Sequence, residues 1–89
     1  MIKDPDAELD YAVNWSNWLE EGETIVSAVW EIPDSFTRPP GKPDRIEEGR
    51  TIIWVSGGEP GMDHGLRVHV VTSAGREEDR TIWLRVRNR

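Results

Sequence analysis

In HVVTSAGREEDRTIWLRV, residues 69–86, apolar side chains fall on alternate positions on both sides of a polar turn. That is the period of a half-buried β-strand, and no segment of the chain sustains the 3.6-residue period of a helix. Extending the stretch back to Leu66, the pattern predicts a hairpin. Leu66, Val68, Val70 and Thr72 point inward in its first strand, and Ile82, Leu84 and Val86 in its second. Arg67, His69 and Val71, then Thr81, Trp83 and Arg85, point out. SAGR is the turn, with Gly75 free to take the left-handed conformation that other residues avoid.

The same alternation recurs upstream. LDYAVNW, residues 9–15, sets Leu9, Tyr11, Val13 and Trp15 against Asp10, Ala12 and Asn14. TIVSAVWEI, residues 24–32, places Val26, Ala28, Trp30 and Ile32 on one face and Ile25 and Val29 on the other, which predicts a strand covered on both sides. Pro33 ends it, because proline cannot donate to a ladder. TIIWVSGG, residues 51–58, is apolar on both faces as well. Between these, SNWLEEGE is too short for a stable helix and reads as one turn, with Ser16 as its cap and Gly22 as its end. Residues 33–50 carry four of the six prolines and read as a long loop or a poorly paired edge, with Phe36 tucked back. Five strands are marked, and one or two more are expected in residues 1–8 and 33–50. Short strands punctuated by Gly and Pro predict an all-β sandwich of about six to seven antiparallel strands without substantial helix, with a small barrel as the alternative.

At 89 residues the chain is expected to form a single domain, residues 1–89, with a thin core. Five tryptophans supply much of what such a core needs, and those left outside are candidates for contact anchors. No cysteine is present to cross-link it. No apolar run approaches the roughly 18 residues of a membrane span, and MIKDPDAELD has no signal-peptide core, so an unprocessed cytoplasmic product is expected. The net charge of −6 argues against a nucleic-acid partner. It is unevenly spread: residues 4–23 hold seven acids and no base, whereas residues 80–89 hold four arginines and no acid.

Constellations that carry chemistry are weak. Asp4, Asp6, Glu8 and Asp10 would line one face of a strand, but the glycine and spacing of a calcium loop are missing. Asp63, His64 and His69 do not converge in any way that spacing implies. There is no nucleophile–base pattern, SGGEPG lacks the lysine and helix of a phosphate loop, and Asn14 of the sequon NWS lies within a strand. The expectation is a non-enzyme with no catalytic residue, no cofactor, no metal, no small-molecule substrate, no nucleic acid and no membrane. What remains is a surface. Trp83, Arg85 and Arg87 share the outward face of the last strand, and Arg67 lies on the matching face across the hairpin. This is either a locally stacked arginine–tryptophan surface or a grip on another chain.

The segments DPDAELDYAVNWSNWLEEGETIVSAVWEIP, TIIWVSGGEPG and LRVHVVTSAGREEDRTIWLRVR, taken in order, resemble a group of small tailed-phage and prophage virion-associated proteins. Members begin with a "DPD…LDY…W" segment and end in a "TSAGR…R…L.V" hairpin. The likeness spans nearly the whole chain except residues 34–50, and the final hairpin also resembles the last strands of bacterial Ig-like domains. The resemblance implies an Ig-like sandwich that works as a virion structural protein, made in the bacterial cytoplasm. A capsid decoration or cement protein is the first expectation. A tail or neck accessory protein is the alternative, and a soluble acidic inhibitor of a host factor is a third reading. The implied partners are capsid or other virion proteins, with the chain as a homo-oligomer or in many copies. Expected contact residues are Trp83, Arg85, Arg87 and Arg67, Phe36, Arg38 and Arg45 in the proline-rich loop, and Asp4 and Asp6 in an N-terminal arm, residues 1–8.

Overall fold

Two β-sheets face each other across a single apolar layer in the computed structural model, which describes residues 2–4 and 7–87. The strands are β1 (Ile2–Lys3), β2 (Leu9–Asn14), β3 (Ile25–Glu31), β4 (Phe36–Thr37), β5 (Arg45–Glu47), β6 (Arg50–Gly57), β7 (Asp63–Thr72) and β8 (Glu77–Val86). One sheet runs β1-β8-β7-β3. The other runs β2-β6-β4, with β5 also paired to β6. All pairings are antiparallel except that of the two-residue β1, which lies parallel to β8. The expected fold class is therefore the observed one: an all-β sandwich with no helix among the described residues.

The core follows the alternation. Val13, Trp15, Ile53 and Val55 come from one sheet, and Ile25, Trp30, Leu66, Val68, Val70, Leu84 and Val86 from the other. The hairpin β7–β8 is the longest element, ten residues on each side, and Gly75 takes φ 80° in its turn. The molecule is elongated, 44 × 25 × 18 Å. Its radius of gyration of 13.8 Å exceeds the roughly 12 Å of a compact chain this long.

The buried end of the sandwich is closed by a cluster around Trp15. Its indole Nε1 donates to Thr51 Oγ1 at 3.0 Å, and its ring meets Trp18 edge-on at 5.3 Å. The amides of Trp18 and Leu19 both donate to the Trp15 carbonyl, which makes the expected single turn. Its cap is Asn14, whose Oδ1 accepts the Ser16 amide at 2.9 Å, rather than Ser16 itself. Arg76 then ties this turn to the hairpin. It donates to both carboxylate oxygens of Glu23 and to the Trp18 carbonyl, and its guanidinium lies 4.3 Å from the centre of the Trp18 ring. Those hydrogen bonds, with others from the Glu20 and Thr72 region, hold the Glu23 carboxyl down from 4.5 to about 2.

One region departs from expectation and two others take the form expected of them, each for a local reason. First, β3 is not covered on both sides. A bulge between Ile25 and Ser27 inserts one extra residue, so Ile25 joins Ala28 and Trp30 inside while Val26 and Val29 are left 59% and 60% exposed. Second, the further pairing expected in residues 33–50 is there as β4 and β5. Phe36 and Thr37 pair with Gly57 and Ser56, and Arg45–Glu47 fold back on Arg50–Ile52 through a tight turn in which Glu48 and Gly49 both have positive φ. Third, the strand expected in residues 1–8 is β1. β1 is laid along β8, the Arg87 amide donates to the Lys3 carbonyl at 2.8 Å, and the Lys3 side chain is 1% exposed. Its ammonium donates to the carbonyls of Gly57 at 2.7 Å and Asp4 at 2.8 Å, the acceptors that a buried charge requires.

Candidate protein–protein interface

The outward face of β7 and β8 is built by register. Asp63 opposes Arg85, Gly65 opposes Trp83, Arg67 opposes Thr81 and His69 opposes Asp79, and on the other side of β7 the partners of Arg67 and His69 are Glu31 and Val29. Strand alternation sends all these side chains to the side away from the core. Trp83 is 63% exposed and is the most exposed large apolar side chain of the described residues. Its ring lies over Gly65: a Cβ built there would sit 3.2 Å from Trp83 Cζ3 and 3.0 Å from Thr81 Cγ2. The absent side chain at Gly65 is thus what gives the indole a flat seat on the sheet.

The arginines around it are held by carboxylates. Arg85 Nε donates to Asp63 Oδ1 at 3.0 Å, and Arg67 Nη2 donates to Glu31 Oε2 at 2.6 Å. The hydrogen bond from Arg85, then its charge, holds the Asp63 carboxyl below the usual carboxylate range, and Asp63 in turn raises Arg85. Exposed pairs of this kind contribute little to stability, but they fix the rotamers of long side chains in advance of any contact. His69 presents both ring nitrogens to carboxylates, Nδ1 to Asp79 at 2.5 Å and Nε2 to Glu77 at 2.8 Å, and these bonds raise its pKa above the ordinary 6.5. Cation–π pairs among the described residues include Lys42 over Trp54, Arg76 over Trp18 and Arg80 over Trp15.

The residues singled out in the sequence therefore separate. Trp83, Arg85 and Arg67 are brought together on one face, with Arg87 exposed just beyond the end of β8. Phe36 leaves the set: it is 4% exposed, packed in the core edge-on to His64 at 5.1 Å, so its side chain is not at the surface. Arg38 bridges the Trp30 carbonyl at 3.1 Å and Asp44 at 3.2 Å, closing a seam between β3 and the segment before β5. Arg45 is exposed and pairs with Glu47. Asp4 lies beside the end of β8, where its carbonyl accepts from Lys3 and from the Ala7 amide, so it is docked on its own chain. Asp6 lies outside the described residues. Sequence reasoning missed Val26 and Val29, which the bulge turns outward. It also missed Gly65, whose only signal was a glycine directly before a regular alternation.

A family model described as the podophage GP4 fiber-tail adaptor protein gp77 matches residues 3–85. The chain belongs to that family. It is a structural protein of a phage virion, and membership in a structural family points to a non-enzymatic role. No curated protein matches it. The matched span includes residues 34–50.

Proposed function

We propose that this protein is a tail adaptor: it links a fibre, or the part that carries one, to the tail of a short-tailed phage. The observation that carries this reading is the family match over residues 3–85. The capsid decoration role has no support from that family, and the tail accessory reading takes its place. The fold suits the task. An elongated sandwich with a strand-built outer face transmits force along its hydrogen-bonded ladders and offers a fixed surface to a neighbour. The contact it offers is Trp83 seated on Gly65, flanked by Arg85, Arg67 and Val29. A large aromatic anchor beside oriented guanidiniums is the composition that protein interfaces favour. The chain works in several copies on each particle, so modest contacts add through avidity.

Immunogold labelling of purified virions tests the placement. Gold at the tail and the base of the fibres is the expected result, and gold spread over the capsid shell would overturn it.

A further inference from the structure

The sandwich has a second surface built to take a partner: the free edge of β2. This strand pairs with β6 on one side and ends its sheet on the other. Its hydrogen-bond phase is fixed at its end, where Trp15 opposes Gly49 and donates to its carbonyl at 2.9 Å. In an antiparallel ladder such pairs alternate, so Leu9, Tyr11 and Val13 spend their backbone groups on β6. The N–H and C=O groups of Asp10, Ala12 and Asn14 face outward. Among the described residues, the Asn14 carbonyl alone has a partner there, a 3.5 Å approach from Arg80 Nη1.

Sheet edges in stable proteins are usually blunted by a bulge, a proline, a lysine or extreme shortness. The other edges follow that rule. β3 carries the bulge at Ile25, is followed by Pro33 two residues after its end and has its Trp30 carbonyl capped by Arg38. β1 is two residues long. By contrast, β2 is six residues in unbroken register with no bulge, proline or lysine. Beside it, Tyr11 Oη is buried without a hydrogen-bond partner.

Charge decides the occupant. No lysine or arginine occurs between Asp4 and Glu23. Asp10 on the outward face of β2, and Glu20 and Glu21 in the turn after it, are exposed and form no ion pair among the described residues. Together they give this edge an acidic border that a basic strand complements. We infer that the β2 edge receives an extended basic segment of another virion protein, which adds a strand to the β2-β6 sheet and places lysine or arginine on the outward face opposite Asp10. The inference leans on the tail-adaptor reading only for where that neighbour resides in the particle.

The probe is the peptide acetyl-Lys-Val-Lys-Val-Lys-Val-amide, titrated into the ¹⁵N-labelled full chain and followed by NMR shifts and amide exchange. Binding is expected to shift residues 9–14 and to slow exchange of the Asp10 and Ala12 amides, while the corresponding Glu-Val peptide does nothing. Ala12→Pro removes only an outward-facing donor, so the fold is retained and affinity falls by about tenfold. Asp10→Lys weakens binding to a similar degree. Shifts scattered over the acidic surface without new protection at Asp10 and Ala12 would overturn the inference, as would protection of those amides by self-association before peptide is added. None of these outcomes bears on immunogold placement, so the edge and the tail location stand or fall separately.

Discussion

Trp15 and Trp83 both belong to alternating strand runs in the sequence, and the fold gives them opposite roles. Trp15 is 0% exposed, hydrogen-bonded to Thr51, met edge-on by Trp18 and covered at 4.5 Å by Arg80 from the neighbouring sheet. Trp83 lies on the outer face over a glycine, and its neighbours Arg85 and Arg67 are turned to carboxylates. An arginine over a buried ring seals a core. An arginine held by a carboxylate beside an exposed ring stays on the outer face. The contrast separates the parts of the molecule that hold it together from the parts that are available to a neighbour.

That contrast breaks most readily at Trp15. Trp15→Ala removes a fully enclosed ring and orphans the Thr51 hydroxyl, and is expected to cost about 3–5 kcal/mol, read as a lower midpoint in urea with an unchanged slope. Stability equal to the parent would mean that the cluster is not a core.

Next comes the clamp that anchors the Trp18 turn. Glu23→Gln should lower the melting temperature at neutral pH by removing the Arg76 pair. The folded pKa of Glu23 is depressed, so its contribution is full above about 4.5 and is lost as pH falls toward about 2. Melting curves of parent and variant should therefore converge across that window, and a gap that persists at pH 2 would show that the carboxylate charge is not what matters.

Trp83→Ala is expected to change stability by less than about 1 kcal/mol, because the ring is mostly in water, while incorporation into particles falls. Quantitative mass spectrometry of purified virions measures the second quantity. Unfolding of the monomer would put Trp83 on the same side of the comparison as Trp15.

The smallest effect belongs to His69. Its pKa is raised by Asp79 and then Glu77, so the stabilisation is complete below the ordinary 6.5 and disappears as pH rises through the folded value. His69→Gln should abolish a slight loss of stability on passing from pH 6 to pH 8, followed by thermal melts at both.

Much of this was legible along the chain. Alternation placed β2, β6, β7 and β8 within a residue or a few of their observed ends, and assigned Val68, Val70, Leu84 and Val86 to the core. It also set Trp83 and Arg85 outside. It could not see the bulge at Ile25, because an inserted residue leaves no signature in a short run with apolar residues on both faces. The β5–β6 hairpin was hidden because Glu48-Gly49 lacks the asparagine or aspartate that usually marks such a turn. Phe36 was foreseen as tucked back and also named as a contact residue, and only the first fits its burial.

The sequence by itself determined the strand periods, the acidic and basic ends and the side of the sheet on which Trp83 lies, because these follow from a two-residue repeat and from residue charge. Tertiary structure alone decided which carboxylates hold Arg67, Arg76 and Arg85, that Lys3 is buried beside Gly57, and that β2 rather than β3 is the open edge. Those outcomes depend on which strands become neighbours. Residues far apart in the chain meet only when the two sheets close on one another, and no local pattern encodes that pairing.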